Sequence, residues 1–159
     1  MVLDQVNGLP VHILVLHAAV IFVPLLGLGA VLYAFVGPWR PKTGWAVGLL
    51  AIAAPVSALI TMRSGTAFYE RLIAEERVSP AGKVILDEHM SYGQTTFLLS
   101  LALGVLSLIL VVLTTRKPGA LPKVADLAFG VVLLVLAGFS AYYIFLTGDS
   151  GATAVWGSY

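Results

Sequence analysis

The sequence predicts an all-α integral membrane protein, a four-helix transmembrane bundle. Three observations carry this. Of 159 residues, 59% are hydrophobic and only 11% are charged, whereas a soluble domain keeps roughly a quarter of its residues charged. Four apolar runs reach about 20 residues, the length a helix needs to cross a bilayer core. Backbone groups in lipid have no water to bond, so such runs must be helical. The composition and the net charge of +1 exclude an ordinary soluble domain, a disordered chain and a nucleic-acid binder. The chain has no cysteine, which removes disulfides, iron–sulfur clusters and thiolate chemistry.

The elements follow in order. The first ten residues hold no Lys or Arg and end in Pro10, unlike a cleaved signal peptide. The first span covers about 11–36 and is free of charge. A basic turn, GPWRPKT at 37–43, leads to the second span, about 44–62. Pro24 and Pro55 lie inside spans, where neighbouring helices tolerate them. The connection 63–91 is long and mostly acidic, with Glu70, Glu75, Glu76, Asp87 and Glu88 against Arg63, Arg71, Arg77 and Lys83. Ser64 is placed to cap a short amphipathic helix through Phe68, Leu72 and Ile73, lying on the membrane surface. Ser79-Pro80 reads as a fresh helix start that runs on into the third span, about 92–115. A second basic turn, TRKPGALPK at 115–123, precedes the fourth span, about 127–146.

Short loops rich in Lys and Arg stay cytoplasmic. Arg40, Lys42, Arg116, Lys117 and Lys123 therefore predict an inner face, with both termini and the long connection outside. Tyr142, Tyr143, Trp156 and Tyr159 then form an outer aromatic belt, and Trp39 and Trp45 an inner one.

The chain also matches itself weakly. A shift of 77 residues pairs His12 with His89, Leu26-Gly27 with Leu103-Gly104 and Pro41 with Pro118. A shift of 86 pairs Gly44 with Gly130, Leu50-Ala51 with Leu136-Ala137, Thr61 with Thr147 and Ser64-Gly65 with Ser150-Gly151. Apolar sequences match each other cheaply, so a duplication and a chance match both stand. A duplication gives two parallel helical hairpins about an axis along the membrane normal. His12 and His89 then face each other at one depth, and Arg63 and Asp149 occupy equivalent places from which they can pair.

Ionisable residues inside spans usually face a bundle interior or a cavity. All three histidines, His12, His17 and His89, fall in the outer half. His12 and His17 are five residues apart, about 140° around a helix, so they cannot both aim at one atom. Imidazole is an axial ligand of haem iron, and bundle cores hold cofactors between facing helices. The first functional reading is therefore b-type haem held by His12 and His89 for electron transfer. His17 stands in reserve, and Arg63 is available to a propionate. A second reading is a small metal site built from His12, His89, Glu88 and Asp149. A third is a cofactor-free accessory subunit of a larger membrane complex, or a homo-oligomer, packed through small residues such as Gly44 and Gly48. Transport lacks polar groups through the full thickness. Ser150, in D-S-G-A, lacks the G-x-S-x-G setting of a hydrolase nucleophile.

Two stretches carry a resemblance: GLPVHILVLHAAVIFVP at 8–24 and TGDSGATAVWG at 147–157. Together they resemble a family of four-span bacterial membrane proteins catalogued as a domain of unknown function. That family opens with Pro-x-His and a second His about five residues on, and closes with a Gly-rich segment ending in an aromatic. The matching positions here are Pro10, His12 and His17, then Gly148, Ser150, Gly151 and Trp156. The resemblance implies an integral protein of the bacterial plasma membrane, redox-linked, with variation at the position of Asp149.

Overall fold

The computed structural model describes residues 5–116, 119 and 121–157. Four helices dominate it: α1 (Val11–Phe35), α2 (Arg40–Ala74), α3 (Pro80–Arg116) and α4 (Lys123–Trp156). All four are long and apolar enough to cross a membrane. They close a ring in which α1 packs on α2, α2 on α3, α3 on α4 and α4 on α1, with α1 facing α3 across the centre. A hydrocarbon core is about 30 Å thick. At 1.5 Å per residue, α1 is about 37 Å long and α3 about 55 Å. The turns after α1 and α3 are short, so the excess of α2, α3 and α4 projects at the opposite end. That end holds His12 and His89 and is called the histidine end below.

Fully buried Val23, Leu26, Leu103, Leu110 and Leu133 fill the core. The helices approach at small residues. A Cβ on Gly27 of α1 would sit 3.3 Å from the Ala137 Cβ of α4, and one on Gly104 of α3 would sit 2.5 Å from the Ala51 carbonyl oxygen of α2. Such residues let helix backbones close up where lipid gives no hydrophobic drive. These two contacts are equivalent under the shifts of 77 and 86. Leu26 and Leu103 are likewise both fully buried. The architecture is two parallel helical hairpins, α1–α2 and α3–α4, packed about a pseudo-twofold.

Arg40 fastens the other end. Its Nε donates to the Tyr33 carbonyl at 2.9 Å, and its Nη2 to the Ala34 carbonyl at 2.8 Å and to Asp126 Oδ1 at 2.7 Å. The first two bonds satisfy carbonyls that the C-terminus of α1 leaves without intrahelical donors. The third ties in α4. Tyr33 and Thr114 join α1 to α3 through their hydroxyls at 2.6 Å.

Three local expectations change. Ser64 does not cap a separate surface helix. Instead α2 runs unbroken to Ala74, and the Ser64 hydroxyl donates back to the Ile60 and Thr61 carbonyls. Packing against α3 keeps α2 helical where an isolated charged segment would lie on the membrane. Only residues 75–79 separate α2 from α3. The start at Ser79-Pro80 is as expected, with Ser79 Oγ accepting the Gly82 N–H at 3.1 Å. At the N-terminus, Gln5–Val6 pairs with Leu9–Pro10 in a minimal hairpin. Asn7 and Gly8 both take positive φ there, the two-residue turn Asn-Gly favours. Lys117, Pro118 and Tyr159, used above for topology, repeat and aromatic belt, lie outside the described residues.

Candidate cofactor site

The rings of His12 on α1 and His89 on α3 meet at the bundle centre. Their centroids are 6.1 Å apart and their planes stand at 86°. Each ring is held on one edge by the hairpin partner of its own helix. His12 Nδ1 lies 3.0 Å from the Thr61 carbonyl of α2. A carbonyl only accepts, so Nδ1 carries the proton and Nε2 keeps its lone pair. His89 Nδ1 lies 3.1 Å from Ser150 Oγ on α4. That hydroxyl already donates to the Leu146 carbonyl at 2.7 Å, so it accepts from the imidazole. Neither Nε2 has a hydrogen-bond partner among the described residues. Two imidazoles are thus fixed in the tautomer that ligates through Nε2. Orienting bonds of this kind accompany almost every metal-binding histidine.

Glycine makes room for both rings. A Cβ on Gly65 would lie 3.0 Å from His12 Nδ1, and one on Gly151 would lie 2.9 Å from His89 Cε1. Gly65 and Gly151 therefore perform equivalent tasks in the two hairpins, whereas the ring bond comes from the Thr61 carbonyl in one and from Ser150 in the other. Thr96 and Thr147 bond through their hydroxyls at 3.0 Å beneath His89.

The imidazoles face a cavity of about 500 Å³. Its walls are mostly aliphatic and aromatic, with Met62 and Met90 on either side and Phe68, Leu72 and Trp156 towards the rim. Size and lining match a small-molecule or cofactor site. At the rim, Tyr69 of α2 donates to Asp87 of α3, and Lys83 donates to the same carboxylate at 2.6 Å. The bonds from Lys83 and then Tyr69 hold the Asp87 carboxyl below its usual range. This clasp fastens the projecting ends of α2 and α3.

No protein-family model, curated protein or solved structure matches the chain. The family resemblance therefore rests on its own motif residues.

Of the residues singled out from sequence, the fold brings together His12 and His89 and sets Met62 and Met90 beside them. His17 is exposed and lies outside the cavity wall. Arg63 and Asp149 are exposed and form no ion pair with each other. Glu88 is exposed and accepts from the Tyr92 hydroxyl at 2.8 Å. Among the described residues no group of three His, Asp or Glu comes close enough to hold a metal ion. The contribution of Phe68, Tyr69 and Leu72 to the cavity is missed when this stretch is read as a short helix lying on the membrane surface. The spacing Phe68-x-x-x-Leu72 already marked one helical face.

Proposed function

We propose that the protein binds b-type haem within the bundle, with His12 and His89 as its axial ligands, and carries electrons in the membrane. The observation behind this reading is the imidazole pair itself: two rings from facing helices, each pinned at Nδ1, with both Nε2 atoms unpartnered beside an apolar cavity. The 6.1 Å separation with planes at 86° is an edge-to-face ring contact, and the cavity of about 500 Å³ beside it is the room a cofactor would take. The wall holds no Lys or Arg among the described residues, so the propionates would belong at the rim, in reach of water. When bound, such a haem would supply one-electron redox chemistry. The protein's part is to fix the ligand tautomer, exclude water and set the polarity around the iron.

The basic turns at the Arg40 end support an orientation with the histidine end on the outer face of a bacterial plasma membrane. The optical spectrum of the purified protein tests the function. The reading expects a reducible Soret band that is lost on His12→Ala or His89→Ala. A colourless, correctly folded preparation that takes up no added haemin overturns it and leaves a cofactor-free accessory subunit.

A further inference from the structure

Four seams separate the helices at the histidine end, and three are clasped. His12, Thr61 and Gly65 close α1 on α2. His89, Ser150, Thr96 and Thr147 close α3 on α4. Tyr69, Asp87 and Lys83 close α2 on α3. The fourth seam, α1 against α4, is tight deeper in the bundle, where Gly27 meets Ala137, and no hydrogen bond among the described residues crosses it at the histidine end. Towards the histidine end, Ile13 and Val20 on the α4 side of α1 line the cavity while staying 48% and 47% exposed. Val155 on the facing side of α4 also lines it and is 65% exposed. Gly148 is exposed too, and nothing lies within 4 Å of a Cβ built on it.

The pseudo-twofold supplies an internal comparison. The α2–α3 seam is the equivalent of α1–α4. There the counterparts Met90, Phe97, Met62 and Tyr69 are all half-buried. The same positions are thus covered on one side of the bundle and bare on the other. Depth decides what reaches the bare side. Helix α1 is about 37 Å long against a core of about 30 Å, so Leu16 and Val20 lie within the hydrocarbon layer.

We infer that the cavity is loaded sideways from the bilayer, through a gap between α1 and α4, and that its occupant is a mostly apolar, membrane-dissolved molecule. The inference rests on the haem reading for the identity of that molecule, not for the route. Among the described residues, a molecule dissolved in lipid meets Ile13, Val20 and Gly148 at this gap.

The test uses the full chain in phosphatidylcholine vesicles, with a nitroxide attached at Leu16→Cys, since the protein has no cysteine of its own. Accessibility to oxygen, which concentrates in hydrocarbon, is compared with accessibility to a water-confined nickel chelate. Oxygen is expected to dominate, and filling the seam with Gly148→Phe is expected to lower it at least threefold. A nitroxide at Leu14→Cys, on the outer face of α1, is expected not to respond to Gly148→Phe. Dominance of the nickel chelate at Leu16, or oxygen accessibility unchanged by both Gly148→Phe and Gly148→Leu, overturns the route. A parallel sample receives haemin in the vesicles. Oxygen results as expected without a Soret band would sink the haem reading and leave the lateral opening standing.

Discussion

Gly65→Ala and Gly151→Ala probe the imidazole pair without touching it. The methyl of Gly65→Ala would sit 3.0 Å from His12 Nδ1 and 3.1 Å from Cε1, where ordinary contact begins near 3.4 Å. The ring must retreat by roughly 0.4 Å, and the backbone of α2 cannot yield instead without moving a packed helix. That retreat stretches the 3.0 Å bond to Thr61 to the edge of hydrogen-bonding range. Overpacking costs about 1–3 kcal/mol, and a weakened hydrogen bond up to about 1.5 kcal/mol. Alanine returns up to about 1 kcal/mol of helix propensity. The net expectation is a loss of about 1–3 kcal/mol in detergent unfolding. With haem bound, losing the Nδ1 anchor lowers affinity by roughly 10–100-fold. Gly151→Ala acts the same way on His89. The double variant loses more than the sum, because both rings are pushed into one cavity. Gly48→Ala is the control, since nothing lies within 4 Å of its Cβ. If Gly65→Ala and Gly151→Ala unfold like Gly48→Ala, the glycines do not set the rings and the reasoning fails.

Gly104→Ala is expected to be the most damaging glycine substitution in the membrane interior, since its methyl would meet the Ala51 carbonyl oxygen at 2.5 Å and only separation of α2 from α3 relieves it. Thermal unfolding should drop well below that of Gly48→Ala, or no folded protein should be recovered. Arg40→Ala removes two carbonyl caps and the ion pair to Asp126, whereas Asp126→Asn removes only the charge. The first is expected to cost about 1–3 kcal/mol and the second less, read by the same melts. The Asp87 carboxyl is held below its usual range, so its contribution is present above the ordinary carboxylate pKa and lost as pH falls through the lowered value. Spin labels on the exposed faces of the projecting ends of α2 and α3 should show a broadened distance distribution only under acid, and Asp87→Asn should show it at neutral pH.

Much of the fold is legible because lipid enforces a simple rule. Length and apolarity mark the spans, and the four predicted runs fall on the four helices, the first overrunning α1 by one residue. The pairing of His12 with His89 was legible through repeat arithmetic, since equivalent positions in parallel hairpins share a depth. What sequence could not separate was helix inside the membrane from helix beyond it. The charges between Phe68 and Leu72 read as a surface segment, yet α3 offers a partner and α2 simply continues. The carboxylates misled for a related reason. Glu88 and Asp149 adjoin the key His89 and Ser150 in sequence, but one residue along a helix turns a side chain about 100° and sends it outward. His17 fails on the same geometry.

Chain topology itself makes the bundle asymmetric where its contacts are nearly symmetric. Two parallel hairpins closed into a ring have four seams. Two lie within hairpins, and the tight turns after α1 and α3 hold them at the Arg40 end. The other two lie between hairpins, and one covalent link can serve only one of them. Here the link is 75–79, and it leaves from the histidine end. The α2–α3 seam therefore gains two projecting helices and the Tyr69–Asp87–Lys83 clasp, while among the described residues α1–α4 has no equivalent at that end. Side chains with the same neighbours by symmetry thus end up differently covered, as with Met90 against Ile13. On this account, a fold of this plan that places its paired ligands at the linked end is expected to open on the unlinked side. A chain joined instead through the Arg40 end would show the gap there, far from the imidazoles. A circular permutant that connects residue 159 to residue 1 and breaks 75–79 should therefore exchange the two seams. In that permutant a nitroxide at Gly93, the counterpart of Leu16, should become the oxygen-accessible one. Retention of the original pattern would mean that side-chain packing, rather than connectivity, sets the opening.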